Sequence, residues 1–442
     1  MIQELLEEKR YEDLHELIKD EPLPDIVEYI EDSETTDKGV LFRLLPKDLA
    51  VDVFSELSGF QQRELISSFS ESEITEITEQ LPFDDRIDFL EEMPAHLVRK
   101  ILSNANPEYR ALVNRFLNYP ADSAGSLMTI EFIKLNAEMT VGEALDFIKH
   151  HGDSKETIYT SYVTDDYSNL LGIVSLRELV VQENDVVLKD IMHTDFVVIS
   201  AYDDQEEVAQ VFKDYGFIAM PVVDKEGRIL GIITVDDVID VIDDEATEDF
   251  QRMAAITPSN EEYLETSVFS MAKRRFSWLL FMMISAMITG TIIERYESVL
   301  SSVLILASFM PMLMNTAGNA GSQASTMVIR GMSLGELRPK DTLKILKKEL
   351  GIALLVGVLL AVINLLRLMF FNHAGLLIGL TVSTTVFCTV ILAKLLGAVL
   401  PIIADRLNLD PAIMAAPMIT TVVDALSLLI YFTIATRLLG LG

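Results

Sequence analysis

The stretch ITTVVDALSLLIYF (Ile419–Phe432) is apolar almost throughout, yet it carries one carboxylate, Asp424, near its middle. It lies within residues 411–438, a segment longer than the roughly 20 residues that a helix needs to cross a bilayer. A charge at the centre of such a helix costs roughly 2.5–3.5 kcal/mol on insertion scales, and residues of this kind face a bundle interior or a water-filled path. Asp424 is therefore a candidate functional residue. The alternative is a buried ion pair, although the nearest basic residue in this run is Arg437.

Five apolar segments in the C-terminal part of the chain are each long enough to span a bilayer. They lie at about 276–294, 298–328, 349–371, 375–403 and 411–438. Basic residues precede the first segment and separate the second from the third: Lys273, Arg274, Arg275, Arg330, Arg338, Lys340, Lys344, Lys347 and Lys348. Because loops rich in Lys and Arg stay in the cytosol, we predict a multi-pass protein of the cell (inner) membrane. Its N-terminal part would be cytosolic and its C-terminus extracytoplasmic.

Charge is divided unevenly along the 442 residues, whose net charge is −33. Residues 1–272 carry 21 Lys and Arg against 60 Asp and Glu, a net charge of −39, and residues 273–442 carry 14 against 8, a net charge of +6. The acidic part argues against nucleic acid as a partner, because phosphates require Lys and Arg, and it favours cations. The single cysteine, Cys388, excludes an internal disulfide framework and a multi-cysteine metal site.

Helical patterns fill residues 1–127. The stretches LLPKDLAVDVFSEL and QLPFDDRIDFLEEM match one another, and their Leu45-Pro46 and Leu81-Pro82 pairs are 36 residues apart. Each stretch places a proline and an acidic residue where a helix would begin, as helix N-termini favour. The repeat predicts a short α-helical superhelix, and an irregular helical bundle is the alternative.

A second repeat follows the helical region. YVTDDYSNLLGIVSLRELV (Tyr162–Val180) matches PVVDKEGRILGIITVDDVI (Pro221–Ile239), and each unit reads as strand, helix, strand, turn, strand and helix. The repeat resembles a tandem pair of CBS modules, which are mostly regulatory ligand-binding units.

The predicted architecture is a multidomain membrane protein that combines an α-helical superhelix, an α/β tandem CBS pair, a connecting helix and a five-helix transmembrane domain. The predicted domains are a helical domain at 1–127, CBS modules at 128–190 and 191–249, a connecting (plug) helix at 250–272 and the transmembrane domain at 273–442.

Two polar motifs interrupt the apolar segments. PMLMNTAGNAGSQAS (Pro311–Ser325) supplies neutral oxygen atoms, and its glycines allow close backbone approach or local unwinding beside a cavity. In the last segment, Thr420 and Asp424 are four residues apart and share a helix face. The candidate ion-path residues are Asn315, Thr316, Asn319, Gln323, Asp410, Ala416, Thr420 and Asp424. A single carboxylate with neutral oxygens suits Mg²⁺, which keeps much of its water. Small-residue helix packing is the alternative for the glycine-rich motif.

An acidic run ends the second CBS-like unit, where eight of the fourteen residues from Asp236 to Asp249 are Asp or Glu. Like charges one helical turn apart repel, so this density favours bound counter-ions, with a solvated helix face as the alternative. A donor set of carboxylates with few histidines favours Mg²⁺ or Ca²⁺ over soft metals.

The two membrane motifs resemble those of the MgtE family of magnesium transporters. One is Asn315–Gln323 with Arg330, and the other is Asp410–Ala412 with Pro417 and Asp424. The resemblance covers essentially the whole chain. It implies a homodimeric Mg²⁺ channel or transporter, not an enzyme, with Asp424 of each chain in a pore between subunits. It also implies closure by cytosolic Mg²⁺ at acids that match Asp237, Asp240, Glu245, Glu248, Asp249, Asp204 and Glu206; our candidates in the helical domain are Asp84 and Asp88.

Two positions depart from the family pattern in the ion sites. Gly216 stands in place of an acidic regulatory residue, and Ala416 stands in place of an asparagine that lines the pore. The resemblance therefore implies that the sensitivity to Mg²⁺ differs from that of the relatives.

Some family members also bind ATP between their CBS modules. Arg177 and Phe217 match that nucleotide site, but Thr160 replaces its tyrosine. A threonine cannot stack on a base, so ATP binding requires Tyr159 or Tyr162 to substitute.

Two other functions remain as alternatives, a permease for other divalent cations such as Co²⁺ and a CBS-regulated membrane enzyme. The sequence contains no soft ligands that would select Co²⁺. It also lacks the His-Glu-x-x-His and Gly-x-Ser-x-Gly motifs that metal-dependent or serine-dependent hydrolysis would use. The selectivity against Ca²⁺ and the coupling ion are not decided by the sequence.

Overall fold

The computed structural model describes residues 5–6, 8–33, 35–104, 106–259, 263–264, 266–371, 375–414 and 416–441. The chain divides into two compact units, Met1–Ile242 and Asp243–Gly442.

The first unit opens with short helices, as the sequence predicts. In the described residues they are α1 (Tyr11–Ile18), α2 (Leu23–Glu31), α3 (Thr35–Leu44), α4 (Lys47–Glu56), α5 (Gly59–Ile66), α6 (Glu71–Gln80), α7 (Phe83–Glu92), α8 (Ala95–Asn104), α9 (Pro107–Phe116) and α10 (Ala124–Leu127). The two repeated proline motifs do begin helices, because α4 and α7 start directly after Pro46 and Pro82. Proline suits the start of a helix because its φ is fixed near the helical value. Its lack of an N–H costs nothing there, because the first N–H groups of a helix have no partner within the helix.

Two α/β modules of the same topology follow. The elements are β1 (Phe132–Asn136), α11 (Val141–His151), β2 (Thr157–Thr164), β3 (Leu170–Ser175), α12 (Leu176–Val181), α13 (Leu188–Ile191), β4 (Ile199–Ser200), α14 (Gln205–Tyr215), β5 (Ala219–Val223), β6 (Ile229–Thr234) and α15 (Val235–Met253). Each module has a three-stranded sheet whose first pair is parallel and whose second pair is antiparallel, in the orders β1-β2-β3 and β4-β5-β6. This confirms the predicted repeat.

The two modules exchange the segments that lead into them. Thr129, which precedes β1, bridges to Ile232 of β6, and His193, which precedes β4, bridges to Ile173 of β3. The backbone N–H of each bridging residue donates to the other's carbonyl at 2.8–3.0 Å. Gly231 is required at one crossing, since a Cβ there would lie 2.5 Å from the Thr129 carbonyl oxygen. Neither module is complete without the other, so the repeat folds as a pair.

The helical domain shares one hydrophobic core with the second module. This core runs from residues such as Phe54 and Phe116 to Val208 and Ile233, all at most 2% exposed. The helical domain and the second module therefore pack as one body, in which a helix of the N-terminal domain can hold side chains against the modules.

The long helix after β6 differs in its bounds from the predicted connecting helix at 250–272. α15 covers Val235–Met253 and so includes the whole acidic run, and the next helix begins at Val268. Ala255 has a φ of 55°, a left-handed conformation that ends the helix. No glycine marks this end in the sequence, so the local pattern did not indicate it.

The second unit contains the apolar helices. After the last turns of α15 they are α16 (Val268–Arg295), α17 (Glu297–Ser302), α18 (Met310–Ser333), α19 (Thr342–Phe370), α20 (Leu376–Arg406) and α21 (Ala416–Leu439). In the described residues, the four helical stretches long and apolar enough to cross a membrane are Val268–Arg295, Pro339–Phe370, Leu376–Arg406 and Pro411–Leu439. The second predicted segment, 298–328, is instead divided among α17, a 3₁₀ turn at Leu304–Phe309 and the polar helix α18.

Glycine contacts bring α18 against α20 and α21. A Cβ on Gly397 of α20 would lie 2.2 Å from the carbonyl oxygen of Gly321 in α18. A Cβ on Gly321 would lie 2.6 Å from Cγ2 of Ile419 in α21. Because dispersion and close packing hold membrane helices together, these glycines fix α18 in the middle of the unit.

We predict that Gly397→Ala lowers the stability of the membrane unit by about 1–3 kcal/mol, as overpacking of a tight contact does. Gly351→Ala is the matched control, since nothing lies within 4 Å of the added methyl group in α19. Thermal unfolding of the detergent-solubilised protein should show a lower midpoint for Gly397→Ala only. Equal midpoints for the two variants would contradict the assigned packing.

Candidate functional site

A polar stripe runs along one exposed face of α18. We define the stripe as Asn315, Asn319 and Gln323, which follow one another at intervals of four residues and are all exposed. Asn319 Nδ2 donates to Asn315 Oδ1 at 3.1 Å. The opposite face of the helix is buried and rich in Ala and Gly. α18 therefore packs through its small residues and presents its amides outward. Thr316, also predicted for the ion path, is half-buried.

The two polar motifs meet at Gly318. A Cβ on this residue would lie 3.0 Å from Cγ2 of Thr420 and 3.8 Å from Oδ1 of Asp424. Glycine at 318 thus lets the α18 backbone approach the polar face of α21. The structure brings Thr420 and Asp424 beside the helix that carries the polar stripe, although the two motifs are about a hundred residues apart in the sequence.

Asp424 is half-buried, and in the described part of the chain no ion pair includes it. The alternative of a buried ion pair with Arg or Lys thus has no support in the described residues. Thr420 Oγ1 donates to the carbonyl of Pro417 at 3.0 Å, which leaves its lone pairs available to an ion or to water. Ala416 is the first residue of α21 and offers only its backbone.

Asp410 is committed to other contacts. Its Oδ1 accepts from the N–H of Ala412 at 2.7 Å, and its Oδ2 pairs with Arg252 in the last turn of α15. Arg252 also pairs with Glu248 one turn earlier. The structure therefore places Asp410 and the regulatory candidate Glu248 in one ionic cluster around Arg252.

A second contact joins the end of α15 to the membrane helices. Ser333 Oγ donates to Asp249 Oδ2 at 2.8 Å. Burial raises the pKa of the Asp249 carboxyl, with repulsion from Asp410 as a smaller cause. Three of the predicted regulatory acids, Glu245, Glu248 and Asp249, lie within the second unit.

A cluster of carboxylates forms in the first unit where α7 faces the CBS modules. Burial raises the pKa of Asp85 to about 8, and repulsion from Asp84, Asp88, Asp237 and Glu156 adds to the shift. The pKa of Asp237 rises to about 7 and that of Asp84 to about 6, again mainly through burial. We define the acidic cluster as Asp84, Asp85, Asp88, Glu131, Glu156, Asp236 and Asp237.

One carboxylate oxygen of the acidic cluster lacks a hydrogen bond among the described residues. Asp84 is 9% exposed, and its Oδ1 has no hydrogen-bond partner among the described residues. Asp237 has one hydroxyl donor, Thr234 Oγ1, at 2.5 Å. In the ranges that the structure describes, no three of the His, Cys, Asp and Glu side chains converge closely enough to hold a bare metal ion.

Sequence reasoning named Asp84, Asp88 and Asp237 but missed Asp85, Glu131, Glu156 and Asp236. Asp85 and Asp236 adjoin named acids, so the DD pairs in "PFDDRID" and "TVDDVID" were an available signal. Glu131 and Glu156 are single acids in unrelated segments, and only the fold brings them near the others. The remaining candidates Asp240 and Glu245 lie further along α15, where each has interactions of its own.

Asp204 and Glu206 have a local structural role at the start of α14. Asp204 is the N-cap residue, and its Oδ1 accepts from the N–H of Glu206 at 2.9 Å. At the other end of α14, Gly216 has a φ of 67° and ends the helix in the left-handed conformation. Glycine is favoured there for backbone reasons, which accounts for the departure from the family's acidic residue at this position.

The nucleotide candidates lie on the two modules. Thr160 of β2 is paired with Ser175, which precedes Arg177 of α12, and the ring of Phe217 stacks on Tyr215 at 5.4 Å. Tyr162 is fully buried against Phe132 and cannot stack on a base. Tyr159 is 63% exposed, so it is the tyrosine available to replace the one missing at Thr160.

One buried ion pair was not predicted. Lys394 of α20 places its Nζ 3.9 Å from Oε2 of Glu349 in α19, and the two side chains are 7% and 12% exposed. A charge buried in a membrane helix is costly without a partner. The pair therefore holds α19 and α20 in a fixed register behind α18.

Family models match the chain in three places. The model described as "MgtE intracellular N domain" matches residues 22–122, the "CBS domain" model matches 124–182 and 188–244, and the model described as "Divalent cation transporter" matches 310–434.

Two curated relatives named "Magnesium transporter MgtE" align over almost the whole chain. The relative from Thermus thermophilus is 36% identical over 444 residues, which cover 99% of this chain and 98% of the relative. The relative from Bacillus subtilis is 32% identical and covers 95% of each chain.

This chain belongs to the MgtE family.

A solved structure agrees with the assignment for the cytosolic part. The cytosolic domain of the Mg²⁺ channel MgtE in complex with ATP is 36% identical, covers 54% of this chain and 98% of its own, and has a TM-score of 0.52. The predicted architecture is confirmed as a helical domain and a CBS pair joined to membrane helices. The protein is a membrane transporter with a cytosolic N-terminal part, and it is not an enzyme.

The acidic cluster predicts a pH dependence of stability in the absence of divalent cations. A carboxyl whose pKa is raised in the folded state contributes stability that is complete below its unfolded pKa and is lost as the pH rises through the folded pKa. For this cluster the loss begins near the ordinary carboxyl pKa of about 4 and continues until about pH 8. We expect the unfolding temperature in EDTA to fall over this window, and Asp85→Asn to reduce the fall by about 2–4 °C or more.

The exposed Asp48 of α4 provides the control, because Asp48→Asn should leave the pH profile unchanged. A profile for Asp85→Asn that coincides with the parent profile would show that the cluster is screened by water.

Proposed function

We propose that this protein carries Mg²⁺ across the membrane and that the ion passes along the polar stripe of α18 beside Thr420 and Asp424. The observation that carries the proposal is the junction at Gly318, where the amide-bearing helix meets the helix that carries Asp424. Among the described residues, no ion pair includes this carboxylate. Amide, hydroxyl and carboxylate oxygens are ligands for a hard cation, and the set contains no thiolate or imidazole.

The ion path is completed by a second copy of the chain. Amides at membrane depth cannot face lipid, because an unsatisfied polar group in hydrocarbon costs several kcal/mol. The exposed side of the stripe therefore faces water and another polar surface. A two-fold axis places two identical stripes face to face and doubles the carboxylate at Asp424. This arrangement supports a homodimer whose pore lies between the subunits, with the C-terminus outside the cell.

Cytosolic Mg²⁺ closes the transporter by binding to the acidic cluster. Carboxylates from α7 and from both CBS modules repel one another when ionised, so a divalent cation favours the arrangement that brings them together. A ligand shifts a conformational equilibrium only by its difference in affinity between the states. The raised pKa values of Asp84, Asp85 and Asp237 support this difference, since their charges are unstable without a counter-ion.

ATP binding between the modules is a further part of the proposal. It is supported by the ATP complex of the similar cytosolic domain and by Arg177, with exposed Tyr159 available to stack on the base in place of Thr160.

The transport proposal is tested by Asp424→Ala and Asp424→Asn in reconstituted liposomes. We expect Asp424→Ala to abolish Mg²⁺ uptake and Asp424→Asn to reduce it strongly, because a partly dehydrated ion depends on the carboxylate charge in a medium of low dielectric. Uptake of Ca²⁺ and Co²⁺ should be measured in parallel to define the selectivity.

Glu297→Gln is the matched control, since this exposed acid begins α17 outside the proposed path. Normal Mg²⁺ uptake by a folded, inserted Asp424→Ala protein would refute the ion path.

The regulatory proposal is tested by replacing Asp84, Asp85 and Asp237 together with Asn. Transport should persist, and the internal Mg²⁺ concentration that closes the protein should rise about 5-fold or more, the usual range of coupling between sites. A triple replacement of the exposed Asp25, Asp48 and Asp52 provides a control of equal charge. If the two triple variants close at the same Mg²⁺ concentration, the acidic cluster is not the sensor.

A further inference from the structure

A buried ion pair in the membrane helices lies outside the proposed ion path. Lys394 stands in the apolar stretch ILAKLLGA (Ile391–Ala398) of α20, which is a candidate membrane span. Its side chain is 7% exposed, and its Nζ lies 3.9 Å from Oε2 of Glu349 in α19, whose side chain is 12% exposed. Because an ionisable residue at membrane depth is costly, such a residue usually has a functional role beyond packing.

The geometry of this pair is better suited to fixing helix position than to adding stability. The distance of 3.9 Å exceeds the length of an N–H···O hydrogen bond, about 2.7–3.2 Å. Oε2 of Glu349 accepts no hydrogen bond from the described residues. Without such bonds, the cost of removing two charges from water offsets most of their attraction, and the best-attested use of a buried pair is to select one register. The pair of Lys394 and Glu349 thus selects one register of α19 against α20.

Apolar packing next to the pair joins the same two helices to α18. Ile345, one turn before Glu349, and Ala398, one turn after Lys394, are buried in one cluster with Val328 of α18. Close-packed interiors transmit small displacements, because they contain little free space to absorb them. A shift of α20 along α19 is therefore passed on to α18.

The turn of α20 that carries Lys394 also touches the α18 backbone directly. A Cβ added to Gly321 of α18 would lie 3.2 Å from the carbonyl oxygen of Ala393, the residue before Lys394. Gly397, three residues after Lys394, meets the carbonyl of Gly321 so closely that no Cβ fits there. Because no side chain separates the two backbones, α18 has to follow any movement of this turn.

α18 carries this contact to the proposed ion path. On its other side, Gly321 meets the side chain of Ile419 in α21. Gly318, three residues earlier, lies against Thr420, and a Cβ there would be 3.8 Å from Oδ1 of Asp424. The distance between the polar stripe and the Asp424 carboxylate therefore depends on where α20 holds α18.

We propose that Lys394 and Glu349 are positioning residues for Mg²⁺ transport. Their ion pair fixes the depth of α20 beside α18 and so sets the geometry of the polar stripe relative to Asp424. This inference rests on the proposed ion path and deepens it, because the pair acts through α18 and supplies no ligand to the ion. Loss of the pair weakens the hold of the path on Mg²⁺ and raises the concentration needed for transport.

The test is a neutral replacement of both partners, Lys394→Met with Glu349→Gln, in the full chain reconstituted in liposomes. The double replacement leaves no buried charge alone, and exchanging a buried ion pair for uncharged residues is often neutral for stability. We expect the thermal midpoint in detergent and the inserted amount to match those of the parent. The half-saturating Mg²⁺ concentration should rise about 3- to 10-fold, within the range for mutations in coupled networks.

Two further variants control for charge. Lys344→Met with Asp341→Asn neutralises an ion pair at the start of α19 whose lysine is 85% exposed, and it should leave the half-saturating concentration unchanged. The reversed pair, Lys394→Glu with Glu349→Lys, restores opposite charges and should return this concentration toward the parent value. Asp424→Ala in the same liposomes tests the ion path separately, so a failure of the path is distinguishable from a failure of the positioning role.

The contradicting results are equally defined. A parent-like half-saturating concentration in the neutral double variant would overturn the positioning role, whether or not the thermal midpoint falls. An equal rise in the reversed pair would also overturn it, since the opposite charges would then be irrelevant. If the neutral variant is not inserted, Glu349→Asp keeps both charges and draws the carboxylate back by one methylene group. Its half-saturating concentration should also rise, and an unchanged value would overturn the proposal.

Discussion

The constraint on which the membrane unit depends is that α18 must be polar on one face and very small on the other. Amides at membrane depth require water or a polar partner, so the Asn315, Asn319 and Gln323 face has to look onto a hydrated path. That exposure is tolerated only if the opposite face packs tightly. Gly321 and Gly397 allow backbone contact with α20, and Gly318 admits Thr420 and Asp424. The same helix thus serves as a packing centre and, in the proposed function, as the wall of the ion path.

A second electrostatic constraint governs the cytosolic unit. Acids that belong to α7, to the first CBS module and to the start of α15 lie close together in the folded first unit, where the helical domain and the second module share one hydrophobic core. Burial and mutual repulsion oppose their ionisation, so the folded arrangement favours protons or a divalent cation as the occupant. In the proposed regulation, Mg²⁺ supplies the missing positive charge only when it is abundant, so the cluster would respond to accumulation of the transported ion.

Local patterns in the sequence predicted much of this structure. The helices that begin after proline, the repeated α/β modules and the apolar spans depend on short-range periodicity, so the sequence predicted them. The motifs at Asn315–Gln323 and Asp424 are also local patterns, so they could be recognised in the sequence. Ion pairs between residues that are distant in the sequence could not be predicted from local patterns. Asp410 pairs with Arg252, 158 residues away, and Lys394 pairs with Glu349 in a different helix. Glu131 and Glu156 join the acidic cluster only after folding, and α15 ends at Met253 without a glycine to mark that end.

The most direct test of the account is the water accessibility of Asn319 at membrane depth. In a Cys388→Ala background, Asn319→Cys would be treated with a hydrophilic thiol reagent in liposomes, beside Leu355→Cys, whose parent side chain is 70% exposed on the apolar α19. The account predicts rapid modification at 319, slowed by Mg²⁺, and no modification at 355. If the cysteine at 319 is as unreactive as that at 355, the stripe faces lipid or protein and the ion path lies elsewhere.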